Sequence, residues 1–253
     1  MAQRFKDRLV VITGAAGGMG QAFARAFASE GAALVLTDID EGGLEAAVAS
    51  LRGEGAKCSG HRVDLASEAG IAELGAKLLG EQPRIDVLIN NAGLAYGEIA
   101  TGFADLSQEK WLRFFAVNTV APLRLAQALR PALTAARGNI VNITSMASYL
   151  PGTAYGVTKA ALNAMTFGMA GSFGADGIRV NAIAPGLMET PASRGSLPPE
   201  TYARVQGQQI LKLHGTADDI ASLALFLASD DARFITAEIV TCDAGNRLRG
   251  WRG

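Results

Sequence analysis

The sequence predicts an α/β protein with one parallel, doubly wound β-sheet of about seven strands and helices on both faces. Short runs of β-branched and apolar residues alternate along the chain with longer segments of helical periodicity. Most of these runs are apolar throughout, as expected for strands that are covered on both faces. Alternating β and α units join into a parallel sheet through right-handed crossovers. With 253 residues, 49% of them hydrophobic, the chain can bury one large core.

Seven runs have the length and composition of strands, and one of them is weaker than the rest. In chain order they cover residues 9–13, 33–38, 59–63 (the weaker one), 87–90, 139–144, 178–183 and 238–242. Their number sets the expected size of the sheet.

The segments between these runs carry apolar residues at helical spacing. They cover residues 21–29, 43–51, 71–79, 108–133 and 155–170. Thr216 begins a further helix, because Asp219 stands three residues later as the partner of a capping box. Residues 187–213 contain three prolines and follow neither pattern. Their length predicts a substrate-binding loop or lid within a single domain that spans residues 1–253.

Charge and cysteine content limit the possible functions. The 23 basic and 24 acidic residues give a net charge of −1, which provides no basic field for nucleic acid. The cysteines Cys58 and Cys242 and the histidines His61 and His214 lack the spacing of metal ligands, so no metal site is expected. No apolar run reaches the ~18 residues of a membrane span, and the first residues lack a signal-peptide core. We therefore expect a cytoplasmic protein without a nucleic-acid or membrane partner.

A glycine-dense turn, "TGAAGGMG", joins the first predicted strand to the first predicted helix. In a doubly wound fold, backbone N–H groups at such a turn and at the helix N-terminus bind a pyrophosphate. Asp38 ends the second strand, where a carboxylate can accept hydrogen bonds from an adenosine ribose. A phosphate on that ribose would meet a like charge, and the residues next to Asp38 in the chain are not basic. The pattern predicts NAD as the cofactor.

Tyr155 and Lys159 are four residues apart in a helical segment and therefore share one face. The ordinary pKa of tyrosine, near ~10, is too high for a base at neutral pH. A cation ~4 Å away stabilises the phenolate by up to ~4 kcal/mol. The pair can thus make a phenol competent for proton transfer beside a hydride carrier.

Together these motifs resemble the short-chain dehydrogenase/reductase family, in its shorter single-domain branch. The likeness runs from about residue 7 to residue 245 and includes "NNAG", "VNTVAP" and "NAIAPG" in the family's order. It implies a Rossmann-like fold and hydride transfer between NAD(H) and a secondary alcohol or ketone. The implied catalytic residues are Asn118, Ser145, Tyr155 and Lys159. The implied cofactor contacts are Gly14, Gly18, Met19, Gly20, Asp38, Asp64, Asn91, Gly93, Tyr155, Lys159, Pro185, Gly186 and Thr190.

The resemblance also implies a role for each catalytic residue. Tyr155 is the general base in oxidation and the acid in reduction, and Lys159 lowers its pKa and holds the nicotinamide ribose. Ser145 hydrogen-bonds the substrate oxygen, and Asn118 orders a water-linked proton relay. The segment between Ser145 and Tyr155 is shorter than in many members, which bears on the wall of the substrate pocket.

Substrate contacts are expected at Ser145, Tyr149 and Leu187, and the segments 94–99, 146–153 and 187–213 have an apolar and aromatic character. They predict a secondary alcohol or ketone of hydrophobic or ring character as the small-molecule partner. The expected assembly is a homo-oligomer, a tetramer or dimer, with helices in contact between the copies. Two alternatives stay open. One is an NADP-linked reductase of 3-oxoacyl or other ketone substrates, and the other is an NAD-binding sensor without turnover.

Overall fold

The computed structural model describes residues 3–95, 97–100, 102–103 and 106–251. Its strands are short and mostly buried. In chain order they are β1 (Leu9–Thr13), β2 (Ala33–Asp38), β3 (Cys58–Arg62), β4 (Val87–Asn90), β5 (Asn139–Ile143), β6 (Arg179–Pro185), β7 (Met188–Glu189), β8 (Gly215–Thr216) and β9 (Ile239–Cys242). Seven of them form one parallel sheet in the order β3-β2-β1-β4-β5-β6-β9, while β7 and β8 pair separately. The predicted fold class is confirmed.

Ten α-helices connect the strands in the described part of the chain. They are α1 (Gly18–Ser29), α2 (Glu41–Gly53), α3 (Glu68–Glu81), α4 (Gln108–Phe115), α5 (Ala121–Ala128), α6 (Arg130–Ala136), α7 (Ala154–Phe173), α8 (Pro191–Ser196), α9 (Pro199–Gly207) and α10 (Ala217–Ala228). Within the described residues, no helix combines the length and the hydropathy that a bilayer span requires.

Two apolar layers cover the two faces of the sheet. Phe23 and Phe27 of α1 pack on one face together with Ile220 of α10. On the other face, Leu125 of α5 and Phe173 of α7 pack together with α3. The strands between these layers are buried on both sides, which explains their continuous apolar sequences.

The single helix predicted for residues 108–133 is wrong. It is divided by a π-helical turn, Ala116–Val120, and again at Leu129 between α5 and α6. Pro131, in the first turn of α6, lacks an N–H and would clash with the carbonyl four residues earlier. This proline ends the helix before it, and Pro122, just after the π turn, likewise has no N–H to donate to the carbonyl four residues earlier.

The strand order reverses beside β1, which has β2 on one side and β4 on the other. Connections from β1 and β4 leave in opposite directions, so a crevice opens at the carboxyl ends of these strands. Ligands of doubly wound proteins bind at such a switch point.

Candidate active site

The turn after β1 requires glycine at two positions. Gly14 has a φ of +66°, and a Cβ there would lie 2.8 Å from Ala92 Cα. A Cβ on Gly20 would lie 2.1 Å from the carbonyl oxygen of Gly14. Bare backbone thus lets the start of α1 close tightly against the end of β1.

The N-terminus of α1 is a cradle for an anion. Gly17 occupies the cap position and supplies no side-chain hydrogen bond, whereas Asp40, Ser67 and Thr153 cap α2, α3 and α7. The first N–H groups of a helix need such partners, and an uncapped N-terminus attracts a phosphate. Gly18, Met19 and Gly20 form this first turn, so the residues present fit the pyrophosphate of a dinucleotide.

Asp38 lies beside the glycine turn. One carboxylate oxygen accepts a hydrogen bond of 2.9 Å from the backbone N–H of Ala16, and the other accepts one of 3.0 Å from Asp40. In the β2–β3 register its partner is Arg62, a basic neighbour that reasoning from adjacent residues missed. Among the described residues Arg62 forms no ion pair with Asp38, so the arginine does not neutralise that carboxylate directly.

Asp64 and Asn91 line the same edge of the sheet. Asp64 accepts a hydrogen bond of 2.9 Å from Ala66 N–H in the turn after β3. Asn91 donates through Nδ2 to the carbonyls of Thr13 and Gly14, at 2.9 and 3.0 Å. Its buried Oδ1 accepts no hydrogen bond within the described residues. That oxygen can accept a hydrogen bond from a bound group.

Lys159 is the central cation of the site. It is 3% exposed, and its Nζ donates a hydrogen bond of 2.8 Å to the carbonyl of Ile143. The Nζ lies 5.9 Å from the centre of the Tyr155 ring. Burial lowers the pKa of the ammonium group to about 8, because the charged form loses hydration. The structure therefore brings the predicted tyrosine and lysine together.

Gly93 borders Lys159 and Asn118. A Cβ at this position would lie 3.2 Å from both Lys159 Nζ and Asn118 Oδ1. The motif after β4 thus lies against two of the predicted catalytic residues.

Asn118 sits in the middle of the π turn and is fully buried. Its Oδ1 accepts from Leu94 N–H at 2.7 Å, and its Nδ2 donates to the Leu94 carbonyl at 2.9 Å. The second Nδ2 hydrogen goes to Thr158 Oγ1 at 3.0 Å. The side chain clamps the loop after β4 to α7. The proton relay expected of Asn118 stays a prediction.

Ser145 follows β5 at the same edge of the sheet. Its Oγ accepts a hydrogen bond of 3.1 Å from Ala147 N–H, and among the described residues the hydroxyl hydrogen has no acceptor. Ser148 is different, because its Oγ donates to the Ser145 carbonyl at 2.6 Å and accepts from Asn163 at 2.8 Å. Of these two serines, only Ser145 keeps a hydroxyl hydrogen that no described residue accepts.

We expect Ser145→Ala to lower kcat by about 10²-fold or more, the usual loss for one preorganised donor to a developing oxyanion. Ser148→Ala is expected to alter mainly KM or substrate preference, because it loosens the loop without removing the donor. Steady-state kinetics of both variants give the comparison. If Ser148→Ala lost kcat and Ser145→Ala did not, the serine assignment would have to be reversed.

Three side chains that sequence reasoning missed hold these groups in place. The hydroxyl of Thr13 accepts hydrogen bonds of 3.0 Å from both backbone N–H groups of residues 91–92. Thr158 holds the amide of Asn118, and Asn163 holds the loop serine. Thr13 could have been suspected because it begins the glycine motif, and Thr158 because it precedes Lys159, while Asn163 has no sequence signal.

The segment 187–213 begins at the end of β6 and contains β7, α8 and α9. Pro185 ends β6, the N–H of Gly186 donates to the Cys242 carbonyl at 2.9 Å, and Leu187 is half-buried. Thr190 caps α8, since its Oγ1 accepts from Ser193 N–H at 3.1 Å. The residues predicted on the nicotinamide side thus follow the carboxyl end of β6.

Glu189 ties the parts of this segment together. Its carboxylate accepts from Arg194 of α8 at 2.8 Å, from the Tyr202 hydroxyl of α9 at 3.0 Å, and contacts His214. These hydrogen bonds, that of Arg194 above all, lower the pKa of Glu189 to about 2. Glu189 therefore stays charged at neutral pH, and its contacts connect α8, α9 and His214.

Tyr149 lies four residues after Ser145, at the end of the 3-10 turn Met146–Ser148. It is partly buried, and this burial raises the pKa of its phenol. The Arg247 guanidinium lies 5.3 Å from the centre of its ring. Tyr96, in the expected substrate segment 94–99, lies outside the described residues.

Comparisons with known proteins agree on one family. Residues 14–247 match the family model described as enoyl-(acyl carrier protein) reductase. The chain is 35% identical to cis-4-hydroxycyclohexanecarboxylate dehydrogenase of Sinomonas cyclohexanicum, over 97% of this chain and 98% of that protein. A solved 7α-hydroxysteroid dehydrogenase, complexed with NADH and 7-oxo glycochenodeoxycholic acid, shares 30% identity with a TM-score of 0.88, over 96% and 95% of the two chains. A short-chain type dehydrogenase/reductase from Mycobacterium ulcerans shares 26% identity with a TM-score of 0.88, over 98% and 92%.

Proposed function

Because the chain belongs to the short-chain dehydrogenase/reductase family, a family of nicotinamide-dependent oxidoreductases, we propose that it transfers hydride between NAD(H) and a secondary alcohol or ketone. The observation that supports this best is the buried Lys159 beside Tyr155, next to a serine whose hydroxyl hydrogen is available. These groups stand at the carboxyl edge of the sheet, near the uncapped N-terminus of α1.

In the oxidative direction the alcohol and NAD⁺ become a ketone, NADH and a proton. A bound nicotinamide supplies the acceptor for the hydride. Tyr155 takes the hydroxyl proton, and the Lys159 ammonium stabilises the phenolate that makes this possible. Ser145 donates its hydroxyl hydrogen to the substrate oxygen while negative charge develops there. In reduction the same groups act in reverse.

The substrate is proposed to be apolar or ring-containing, because Tyr149 and Leu187 border the crevice. The named relatives act on a hydroxycyclohexane acid and on a steroid, which favours a ring. The segment 187–213 is proposed as the lid over this substrate.

A panel of secondary alcohols, followed by the absorbance of reduced nicotinamide, tests the activity. It should include 4-hydroxycyclohexanecarboxylate, its methyl ester, a hydroxysteroid and a 3-hydroxyacyl thioester. Turnover of at least one ring alcohol with NAD is the expected result. Binding of NAD without turnover of any member would favour the sensor alternative.

NAD should exceed NADP in kcat/KM by well over ~10-fold, since ~1.4 kcal/mol corresponds to one decade. The Asp38 carboxylate and a ribose phosphate ~4 Å away would repel each other by up to ~4 kcal/mol. Asp38→Asn keeps an oxygen for the Ala16 N–H and removes the charge, so it should narrow the ratio. Equal use of both cofactors by the wild-type protein would contradict this reasoning and favour the NADP-linked alternative.

We also propose a homo-oligomer, a tetramer or dimer, in the cytoplasm. Large apolar side chains are exposed on one chain, among them Leu112, Phe167 and Phe234, the last at 96%. Contact with another copy would remove these side chains from water. Sedimentation would give the mass, and a monomer at micromolar concentration would refute the assembly.

A further inference from the structure

The described residues after β9 are held by hydrogen bonds to one another and to α9. Asp243 accepts hydrogen bonds from the N–H groups of Gly245 and Arg247, at 2.9 and 2.7 Å. Asn246 is fully buried and donates through Nδ2 to the Val205 carbonyl of α9 at 2.6 Å. The side chain of Arg247 therefore starts from a defined backbone position.

The same segment is joined to the region 187–213. The carbonyl of Ala244 accepts from the N–H groups of Ile210 and Leu211, at 2.8 and 3.1 Å. The side chain of Ile210 also packs within van der Waals distance of Gly245. The chain before Arg247 is thus held against the proposed lid.

Arg247 is an exposed cation beside an aromatic ring. Its guanidinium lies against Tyr149, and in the described part of the chain it forms no ion pair. Both oxygens of the nearby Asp243 carboxylate are already engaged by backbone N–H groups. Stacking on a ring fixes a guanidinium and leaves its N–H edge free for a planar anion.

We propose that Arg247 binds a carboxylate of the substrate, so that the enzyme acts on hydroxy or oxo acids whose acid group lies away from the reacting carbon. This inference rests on the proposed function, since Tyr149 is taken as a wall of the substrate pocket. A guanidinium and a carboxylate form two parallel charge-assisted hydrogen bonds, which also orient the substrate. The hydroxyl-bearing carbon then faces Ser145 and Tyr155, and the acid faces the tail.

The test compares kcat/KM for 4-hydroxycyclohexanecarboxylate with that for its methyl ester. The wild-type protein should prefer the acid, and Arg247→Met should lower the acid-to-ester ratio by roughly 10- to 100-fold, chiefly through KM of the acid. Arg247→Lys should keep part of the preference. Arg25→Met, which removes another exposed arginine that forms no ion pair with the described residues, is the matched control and should keep the wild-type ratio.

No preference for the acid in the wild-type protein, or an equal loss on both substrates in Arg247→Met, would overturn the proposal. A binding measurement separates this failure from failure of the activity. Calorimetry with cyclohexanecarboxylate and NAD-saturated protein should show binding that Arg247→Met weakens by a similar factor. Such binding without any turnover would leave the anion site standing and refute the dehydrogenase, whereas neither turnover nor binding would refute both.

Discussion

Tyr155→Phe is expected to lower kcat by about 10²- to 10⁴-fold, the range supplied by one positioned acid or base. Phenylalanine removes the oxygen that exchanges the proton and keeps the ring that lies 5.9 Å from Lys159 Nζ. The buried surroundings of Lys159 should therefore change little. Steady-state kinetics with the best alcohol of the panel would measure the loss.

NAD binding supplies the control for this variant. The cofactor should still raise the melting temperature of Tyr155→Phe, because ligand that binds only the native state stabilises it. Near-normal turnover would place the acid and base elsewhere. Loss of both turnover and NAD stabilisation would mean that the substitution had damaged the site as a whole.

Lys159→Met is expected to abolish most of the activity and to make the cofactor-free protein more stable. At pH 7 the buried ammonium, with its pKa lowered from 10.5 to about 8, costs about 3 kcal/mol of folding free energy. Losing the hydrogen bond to the Ile143 carbonyl offsets about 1 kcal/mol of the gain. The loss of kcat should reach about 10²-fold, since the phenolate of Tyr155 would lack its nearby cation.

The pH dependence of the free energy of unfolding is a second test of the buried Lys159 cation. Between pH 8 and 10.5 the unfolded lysine holds its proton while the folded one has lost it. The free energy of unfolding of the wild-type protein should therefore rise with pH across this window, and Lys159→Met should lack that contribution. Urea denaturation at pH 7 and 9 would show it. A variant that is less stable at pH 7 and has an unchanged pH slope would refute the claim of a costly buried cation.

Sequence predicted the sheet well because burial on both faces leaves a direct composition signal. Val10, Val11 and Ile12 of β1 are completely buried, and their run admits little but a central strand. The sequence signal of the edge strand β3 was weaker, because the residues of this strand are only partly buried or exposed. The motif residues were predicted at strand ends, and strand ends in a parallel sheet converge on one edge.

Contacts between distant segments were beyond such reasoning. Nothing in the sequence places Arg247 on Tyr149 or Arg62 opposite Asp38, because both pairs arise from tertiary packing. The two serines illustrate the same limit. Their residue type is identical, and only their tertiary contacts distinguish them, since Ser148 donates to the Ser145 carbonyl and accepts from Asn163.

The π turn at Ala116–Val120 has a consequence for how this gene can change over evolutionary time. A π turn holds one residue more than an α turn, and each residue of an α-helix turns the chain by about 100°. Deleting any one residue there would restore a regular helix but rotate its two halves against each other. Asn118 would swing away from Leu94, or Leu125 would leave the core. We therefore expect this helix to tolerate substitutions more readily than a change in its length.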